Sequence, residues 1–566
     1  MPDVRFDRWY RYDELTTLLH AFADEHPDLV ELESIGKSYE ERDIWLLTIT
    51  QRAGRPHTEK PALWVEASIH ATELTGTAAA LHLINRLVTG YGNDKKVTEA
   101  LDTRCFYVVP RLNPDGAEAA LSDPPRIQRS SSRPWPRTDQ QDGLRVEDAD
   151  GDGRILTMRI PDSNGNWKRH PDDPRLLVAR DPDEYGGDPD AGDVYYRLLP
   201  EGRIQNYDGI LVKMAPPLRG LDINRNFPVD WRPEGEQMGA GPFPTSEPEI
   251  RAEVEAITQR PNICAFIAYH TQSGVHLRPS SMYADDQMPT FDLRTFKAIG
   301  KRATEITGYP AASVFHDFKY DPKDVITGVA DDWAYEHLGI HGWTTEFWSV
   351  LRAAGITDFK FIDWYLDHPI DDDLKLLKWS DETINGEGYV DWYPFEHPEL
   401  GSVELGGWNS LRFHRNPPLE LLEKEIAPHA EWAIFHLLIS PRLVAHSFRV
   451  EPVGSGTWRL TAVVHNDGWL PTNVTQKALD KKTVRPIEAE LTLPDGVELV
   501  GGERRVELGQ LQGRALKNAM MGGGADPTAD RAKVEWVVKA TGVHEIPVEI
   551  RHQRAGVVRF SFPLNQ

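Results

Sequence analysis

The sequence predicts an α/β layered domain followed by an all-β sandwich, and three observations carry this. First, up to about residue 120 apolar runs alternate with amphipathic stretches, the pattern of strands and helices stacked in layers. Second, the same alternation resumes at Ile263 and continues to about Ile439. Third, after Pro441 the chain turns to short β-like runs separated by turns, which reads as a sandwich of about 125 residues. A chain of 566 residues is also too long for one ordinary core, so two domains are expected, over 1–440 and 441–566.

Tyr12–His26 has Leu15, Leu18, Leu19 and Phe22 at helical spacing. Val30–Ile35 and Ile44–Thr50 alternate like strands, Leu63–Ile69 reads as a buried strand, and Thr75–Val88 as a helix rich in Ala and Leu. Arg104–Val109 is a further strand, and Asn113-Pro114-Asp115-Gly116 reads as a turn. From about Asp123 to Leu218 the chain is rich in Pro, Gly, Asp and Arg without a sustained period, and is read as an insertion. Ala330–His337 reads as a helix leading into a strand over Leu338–Phe347. In the sandwich the strands are expected at Trp458–His465, Ile487–Leu493, Lys533–Lys539, Ile546–Arg551 and Val557–Phe562, with Gly522-Gly523-Gly524 in a flexible loop.

The net charge of −25 argues against nucleic acid or an anionic membrane as partner and weakly favours a cationic substrate. Cys105 and Cys264 both lie in apolar runs and read as buried free thiols. With no apolar stretch of about 18 residues and no leader-like N-terminus, a cytoplasmic location is the expectation, or a secreted one if a leader is absent from the sequence.

His70-Ala71-Thr72-Glu73 ends one apolar run and Tyr269-His270 ends another. His, Glu and His at strand ends can hold a zinc ion and leave one position open, as catalytic rather than structural sites do. Strand ends are also where ligands gather in layered α/β folds. In Asp222-Ile223-Asn224-Arg225, Arg offers a charged fork and Asn an amide donor, a pair suited to a carboxylate. Glu346, within Gly342-Trp343-Thr344-Thr345-Glu346-Phe347-Trp348, is a carboxylate among aromatic and β-branched residues, where it must pair or do chemical work.

These motifs, together with N-P-D-G and Ser246-Glu247-Pro248-Glu249, come in the order seen in the M14 metallocarboxypeptidases, which the chain resembles over roughly residues 5–435. The resemblance implies an α/β/α layered domain with a mixed sheet, Zn2+ as cofactor and hydrolysis of the C-terminal bond of peptides bearing a free carboxylate. His70, Glu73 and His270 match the zinc ligands, Glu346 the general base, and Asn224 and Arg225 the clamp on the terminal carboxylate. An Arg downstream of N-P-D-G polarises the scissile carbonyl in this family. Arg126, Arg129 and Arg133 compete for that place, with Arg129 and Arg133 favoured and not separable. Asp331 matches the position at the base of the family's side-chain pocket, where in some members an Asp pairs with C-terminal Lys or Arg; read alone, it is equally a helix N-cap or first-turn acid.

Two departures stand out. Thr72 occupies the place of an Arg that often helps hold the peptide, and Asp324 aligns with the family's mobile Tyr, for which Tyr320 is the nearest substitute. Within the insertion, Asp148, Asp150 and Asp152 form the first half of a calcium loop, with Arg159 where the closing acid belongs. Two other readings use the same residues: a zinc amidohydrolase acting on cell-wall peptides or N-acyl amino acids, and a non-catalytic peptide-binding module. The oligomeric state is not legible in the sequence.

Overall fold

A computed structural model describes residues 2–184, 194–319, 321, 323–517 and 526–564. Its centre is a mixed eight-stranded sheet in the order Val30–Lys37, Asp43–Ile49, Cys105–Val109, Ala62–Ala67, Ile263–Thr271, His341–Phe347, Val275–Arg278, Ala311–Ser313. The four strands from Cys105–Val109 to His341–Phe347 run parallel, and the first two pair antiparallel. Every residue of Ile263–Thr271 is buried, because helices cover both faces of the sheet. One face packs against the helices Tyr12–Glu25, Thr75–Gly90, Thr290–Thr307 and Leu419–Leu438. The other packs against Pro248–Thr258 and Ala330–Trp333. This is the α/β/α layering expected from the sequence.

The N-P-D-G stretch is not a free turn. It opens a helix, Pro114–Ala120, with Asn113 as cap: its side chain accepts the Gly116 N–H at 2.9 Å, and Pro114 stands at the first helical position, where it loses no hydrogen bond. The insertion is also more regular than its composition suggests. Thr157–Pro161, Trp167–Arg169, Leu177–Ala179 and Tyr196–Pro200 join Tyr389–His397 and Gly401–Trp408 in a six-stranded sheet. Met158, Val403 and Leu405 form its small core. Arg159 belongs to this sheet: it pairs with Glu404 at 2.8 Å and lies 4.3 Å from the Trp392 ring centroid.

After residue 440 two four-stranded antiparallel sheets stack face to face as the sandwich. One is Leu443–Gly454, Thr457–Asn466, Arg531–Ala540 and Val497–Gly501, and the other is Arg505–Glu507, Glu488–Leu491, Glu545–His552 and Gly556–Pro563. Leu460, Trp536, Ile550 and Phe562 are fully buried between them. The Gly522–Gly524 loop lies outside the described residues.

The sandwich is joined to the layered domain through polar groups. The buried Arg554 guanidinium donates to the carbonyls of Gly339 at 3.0 Å and Asn473 at 3.2 Å, and to that of Leu338. Asp292 accepts the backbone N–H groups of Gln476 and Lys477, and Lys477 pairs with Glu336 at 2.9 Å. Cys105 and Cys264 are buried free thiols, as expected.

The interior holds several titratable groups that fold in their neutral form. Burial lowers His276, His341 and His552 to about 3 and His414 to about 4. Burial raises Glu249 to about 7 and Glu253 to about 8. Below a pH of about 6.5 the unfolded chain protonates its histidines while the folded chain does not, so stability falls as pH drops. Above about 4.5 the unfolded chain ionises these two carboxyls while the folded chain holds their protons, so their contribution is lost as pH rises through 7 to 8. The expected result is a melting temperature that peaks near pH 6.5 and falls on both sides. A flat profile from pH 5 to 8 in calorimetry is inconsistent with neutral burial of these groups.

Candidate metal centre and active site

Ala62–Ala67 and Ile263–Thr271 are adjacent parallel strands, with Ala67 opposite Tyr269. Their carboxyl ends therefore emerge side by side and bring His70 next to His270. Ser68, with φ 56°, turns the chain out of the first strand, and Glu73 follows just before the helix Thr75–Gly90 begins. The parallel register of the next strand sets Glu346 directly opposite His270. Side chains alternate along a strand, so Thr344 and Glu346 share a face with Ala268 and His270.

His70, Glu73 and His270 are all buried. His70 Nδ1 lies 2.8 Å from Glu73 Oε1, His270 Nδ1 lies 3.1 Å from Glu73 Oε2, and the two Nδ1 atoms are 3.1 Å apart. Donors about 2.0 Å from a tetrahedral ion stand about 3.3 Å from one another, so three nearly equal short separations fit a zinc ion. Two imidazole nitrogens and a carboxylate also match zinc's preferred ligands. Burial works against charge on Glu73, yet His70 and His270 hold its carboxyl well below the usual range.

Asp222, which sequence reasoning passed over, organises the surroundings. Its Oδ1 lies 3.1 Å from His70 Nε2 and accepts the Asn224 N–H at 3.0 Å, and its Oδ2 accepts from Arg129 Nε at 2.9 Å. Donation from Nε2–H leaves the His70 Nδ1 lone pair free for the metal. The available signal was an acid two residues before Asn224 in D-x-N-R. Arg129 also reaches Glu73 Oε1 at 3.3 Å, whereas Arg133 is taken by the buried Glu247, with Nε to Oε2 at 2.9 Å. The structure thus brings Arg129 to the triad and ties Arg133 elsewhere.

Glu346 has one carboxylate oxygen, Oε2, with no hydrogen-bond partner among the described residues. Burial pushes its pKa up to about 8. Glu73 adds to this, and His270, Arg129 and Arg415 oppose it. Asn224 uses its Oδ1 to accept the Ala330 N–H at 3.0 Å, at the start of the helix that carries Asp331. Asp331 is buried, its Oδ1 accepts the Asp332 N–H at 3.1 Å, its Oδ2 has no partner among the described residues, and burial raises its pKa. Burial lowers the pKa of Arg225, Asp222 and Asp331 oppose this and Arg129 adds to it, and its Nη1 donates to the Asn224 carbonyl at 2.7 Å.

Tyr320 lies outside the described residues. The acidic loop is assembled differently from a calcium site. Asp152 pairs with Arg154 at 2.8 Å, and the acids that converge are Asp148, Asp150 and Glu201. Their oxygens accept from the loop's own N–H groups, Asp148 from Gly151 and Gly153 and Glu201 from Ala149 and Leu156, and Asp150 also accepts from Tyr393. The loop is closed by its own hydrogen bonds, which does not support calcium.

The family model described as zinc carboxypeptidase matches residues 15–193 and 195–363, and a domain of unknown function matches residues 442–563. Carboxypeptidase A6 of Homo sapiens is 22% identical over 353 residues, which cover 60% of this chain and 59% of that protein. Carboxypeptidase B of Astacus astacus is 27% identical over 179 residues, 32% of this chain and 51% of that protein. The chain thus spans between half and three fifths of the length of these two relatives. Among solved structures, bovine thrombin-activatable fibrinolysis inhibitor in complex with tick carboxypeptidase inhibitor aligns with a TM-score of 0.41 at 16% identity, covering 76% of this chain and 98% of that one. With the family model matched along more than half its length, the chain belongs to the zinc carboxypeptidases.

Proposed function

We propose that this protein is a zinc-dependent exopeptidase that releases the C-terminal residue of peptides. The observation that carries the proposal is the buried His70–Glu73–His270 triad with Glu346 in register beside it. Zinc held by these three residues supplies Lewis acidity at neutral pH. Glu346 takes a proton from the attacking water and returns it to the leaving amine. The positive field of a cation on the triad lowers its pKa from about 8 toward the working range of a general base. Arg129, rather than Arg133, stabilises the charge that develops on the scissile carbonyl oxygen, because of the two it is Arg129 that contacts the triad. Asn224 and Arg225 hold the substrate's terminal carboxylate, which restricts the enzyme to chain ends.

Asp331 then sets the side-chain preference. A buried carboxyl oxygen without a partner is unfavourable, and a Lys or Arg side chain of the substrate relieves it. The test is release of the last residue from matched peptides ending in Lys, Arg, Leu, Phe or Glu, with Asp331→Asn alongside. The expected result is release of Lys and Arg at least about tenfold faster than of Leu, with the preference lost in the variant. Release of apolar residues alone retains the exopeptidase and removes Asp331 from the specificity argument. No release from any peptide by zinc-loaded protein overturns the proposal.

A further inference from the structure

In place of the cation that the family often carries between its zinc His and Glu, this chain has Thr72. The structure brings a different cation to that wall of the cleft. The segment Leu411–Arg415 and the following Asn416 lie far along the chain from the ligand loop, yet two anchors pin them beside it. Asn416 Nδ2 donates to the Thr72 carbonyl at 2.8 Å, and its Oδ1 accepts from Thr75 N at 3.1 Å and Thr75 Oγ1 at 2.9 Å. At the other end, the Phe413 carbonyl accepts from Trp348 Nε1 at 2.7 Å, two residues after Glu346. Arg415 therefore sits between the ligand loop and the end of the strand that carries the base. It is half-buried, its charge is felt by Glu346, and its guanidinium has no hydrogen bond or ion pair among the described residues.

The arginines weighed for the scissile carbonyl are engaged: Arg129 by Asp222 and Glu73, and Arg133 by Glu247. The position of Arg415 also has a direction. Asn224 lies on the side of Asp222, which its N–H bonds and which bonds His70 Nε2, and Arg225 follows it in the chain, whereas Arg415 adjoins Asn416, which bonds Thr72, and its charge acts on Glu346. A peptide whose terminal carboxylate rests on Arg225 and whose scissile carbonyl rests at the triad extends its upstream residues toward the opposite wall.

Building on the exopeptidase reading, we propose that Arg415 is a specificity residue: it receives an acidic side chain on the residue that precedes the scissile bond. A free, partly desolvated guanidinium matches a carboxylate with two parallel hydrogen bonds. It offers a local positive site on a chain whose net charge of −25 would otherwise repel acidic peptides.

The test compares peptides that share their terminal residue and carry Glu, Ala or Lys immediately before it. Wild-type, Arg415→Lys, Arg415→Ala and Arg415→Glu proteins are assayed for kcat/KM. The same peptides are titrated calorimetrically into zinc-loaded Glu346→Gln protein with and without Arg415→Ala. Hydrogen bonds to charged groups of this kind are worth enough for about a tenfold preference. The expected result is Glu over Lys by about tenfold in the wild type, retained in part in Arg415→Lys, abolished in Arg415→Ala and inverted in Arg415→Glu. An unchanged ratio in Arg415→Ala and Arg415→Glu overturns the proposal. So does a uniform loss on all three peptides with a displaced acid limb of the pH profile, since that places Arg415 as a tuner of Glu346 alone. If the wild type releases nothing, yet the titrations keep the Arg415-dependent preference for Glu, the exopeptidase reading fails and the assignment of Arg415 stands.

Discussion

Glu346→Gln lowers kcat by about 10²- to 10⁴-fold and leaves zinc content unchanged. The substitution keeps the shape of the side chain and removes its ability to accept a proton. Glu346 is not part of the ligand triad: the donor atoms that converge belong to His70, Glu73 and His270. The wild-type carboxyl has its Oε2 unbonded among the described residues and its pKa raised by burial. Gln in that place has no charge to desolvate, so the folded state gains slightly or is unaffected. The checks are kcat with a good peptide substrate, zinc by atomic emission, and the melting temperature. A variant that loses zinc along with activity would make Glu346 a structural support of the metal centre rather than its base.

Asp222→Ala has the second largest effect, and it acts at three points at once. His70 loses the acceptor of its Nε2–H, Arg129 loses its nearest carboxylate, and the Asn224 N–H loses its cap. Removing a carboxylate that orients a zinc-binding histidine weakens metal affinity by about 10- to 100-fold. The displaced Arg129 lowers kcat further, since a donor must be preorganised to stabilise developing charge. Asp222→Asn preserves one acceptor and is expected to lie between the two proteins. Competition with a chelator reads the affinity, and kcat at saturating zinc separates the contribution of Arg129. Equal chelator sensitivity in Asp222→Ala and wild type would remove Asp222 from the metal centre.

The parts of this site that were legible in the sequence are those whose signal is local. His70 and Glu73 stand three residues apart at the end of an apolar run, and His270 and Glu346 lie near the ends of theirs, so strand ends and ligand chemistry single them out together as candidates. The alternation of strands and helices was legible for the same reason, since burial on both faces of the central sheet leaves long apolar runs. What escaped depends on contacts between distant segments. The choice between Arg129 and Arg133 rests on Glu247, more than a hundred residues away, which claims one of them. The insertion looked irregular because its strands are three to five residues long and join a sheet completed by Gly401–Trp408, which pairs with Thr157–Pro161 from far along the chain. The N-P-D-G stretch was misjudged in kind, because Asn and Pro that favour a turn equally favour the first turn of a helix. Arg415 carried no local signal at all, and only the fold of Asn416 onto Thr72 brings it into view.

The junction at Arg554 has a consequence for how the chain can be divided. Its guanidinium holds the carbonyls of Leu338 and Gly339, just ahead of the strand His341–Phe347 that carries Glu346. Gly339 adopts φ 65°, and a Cβ there would meet Ala478 of the sandwich at 2.6 Å. The two halves are thus cut to each other's shape at the root of the strand that carries Glu346. Expression of the layered domain alone would leave that root with unmet carbonyls and an open flank, so a smaller active fragment requires a redesigned surface there, and any transplanted sandwich must bring its own counterpart of Arg554.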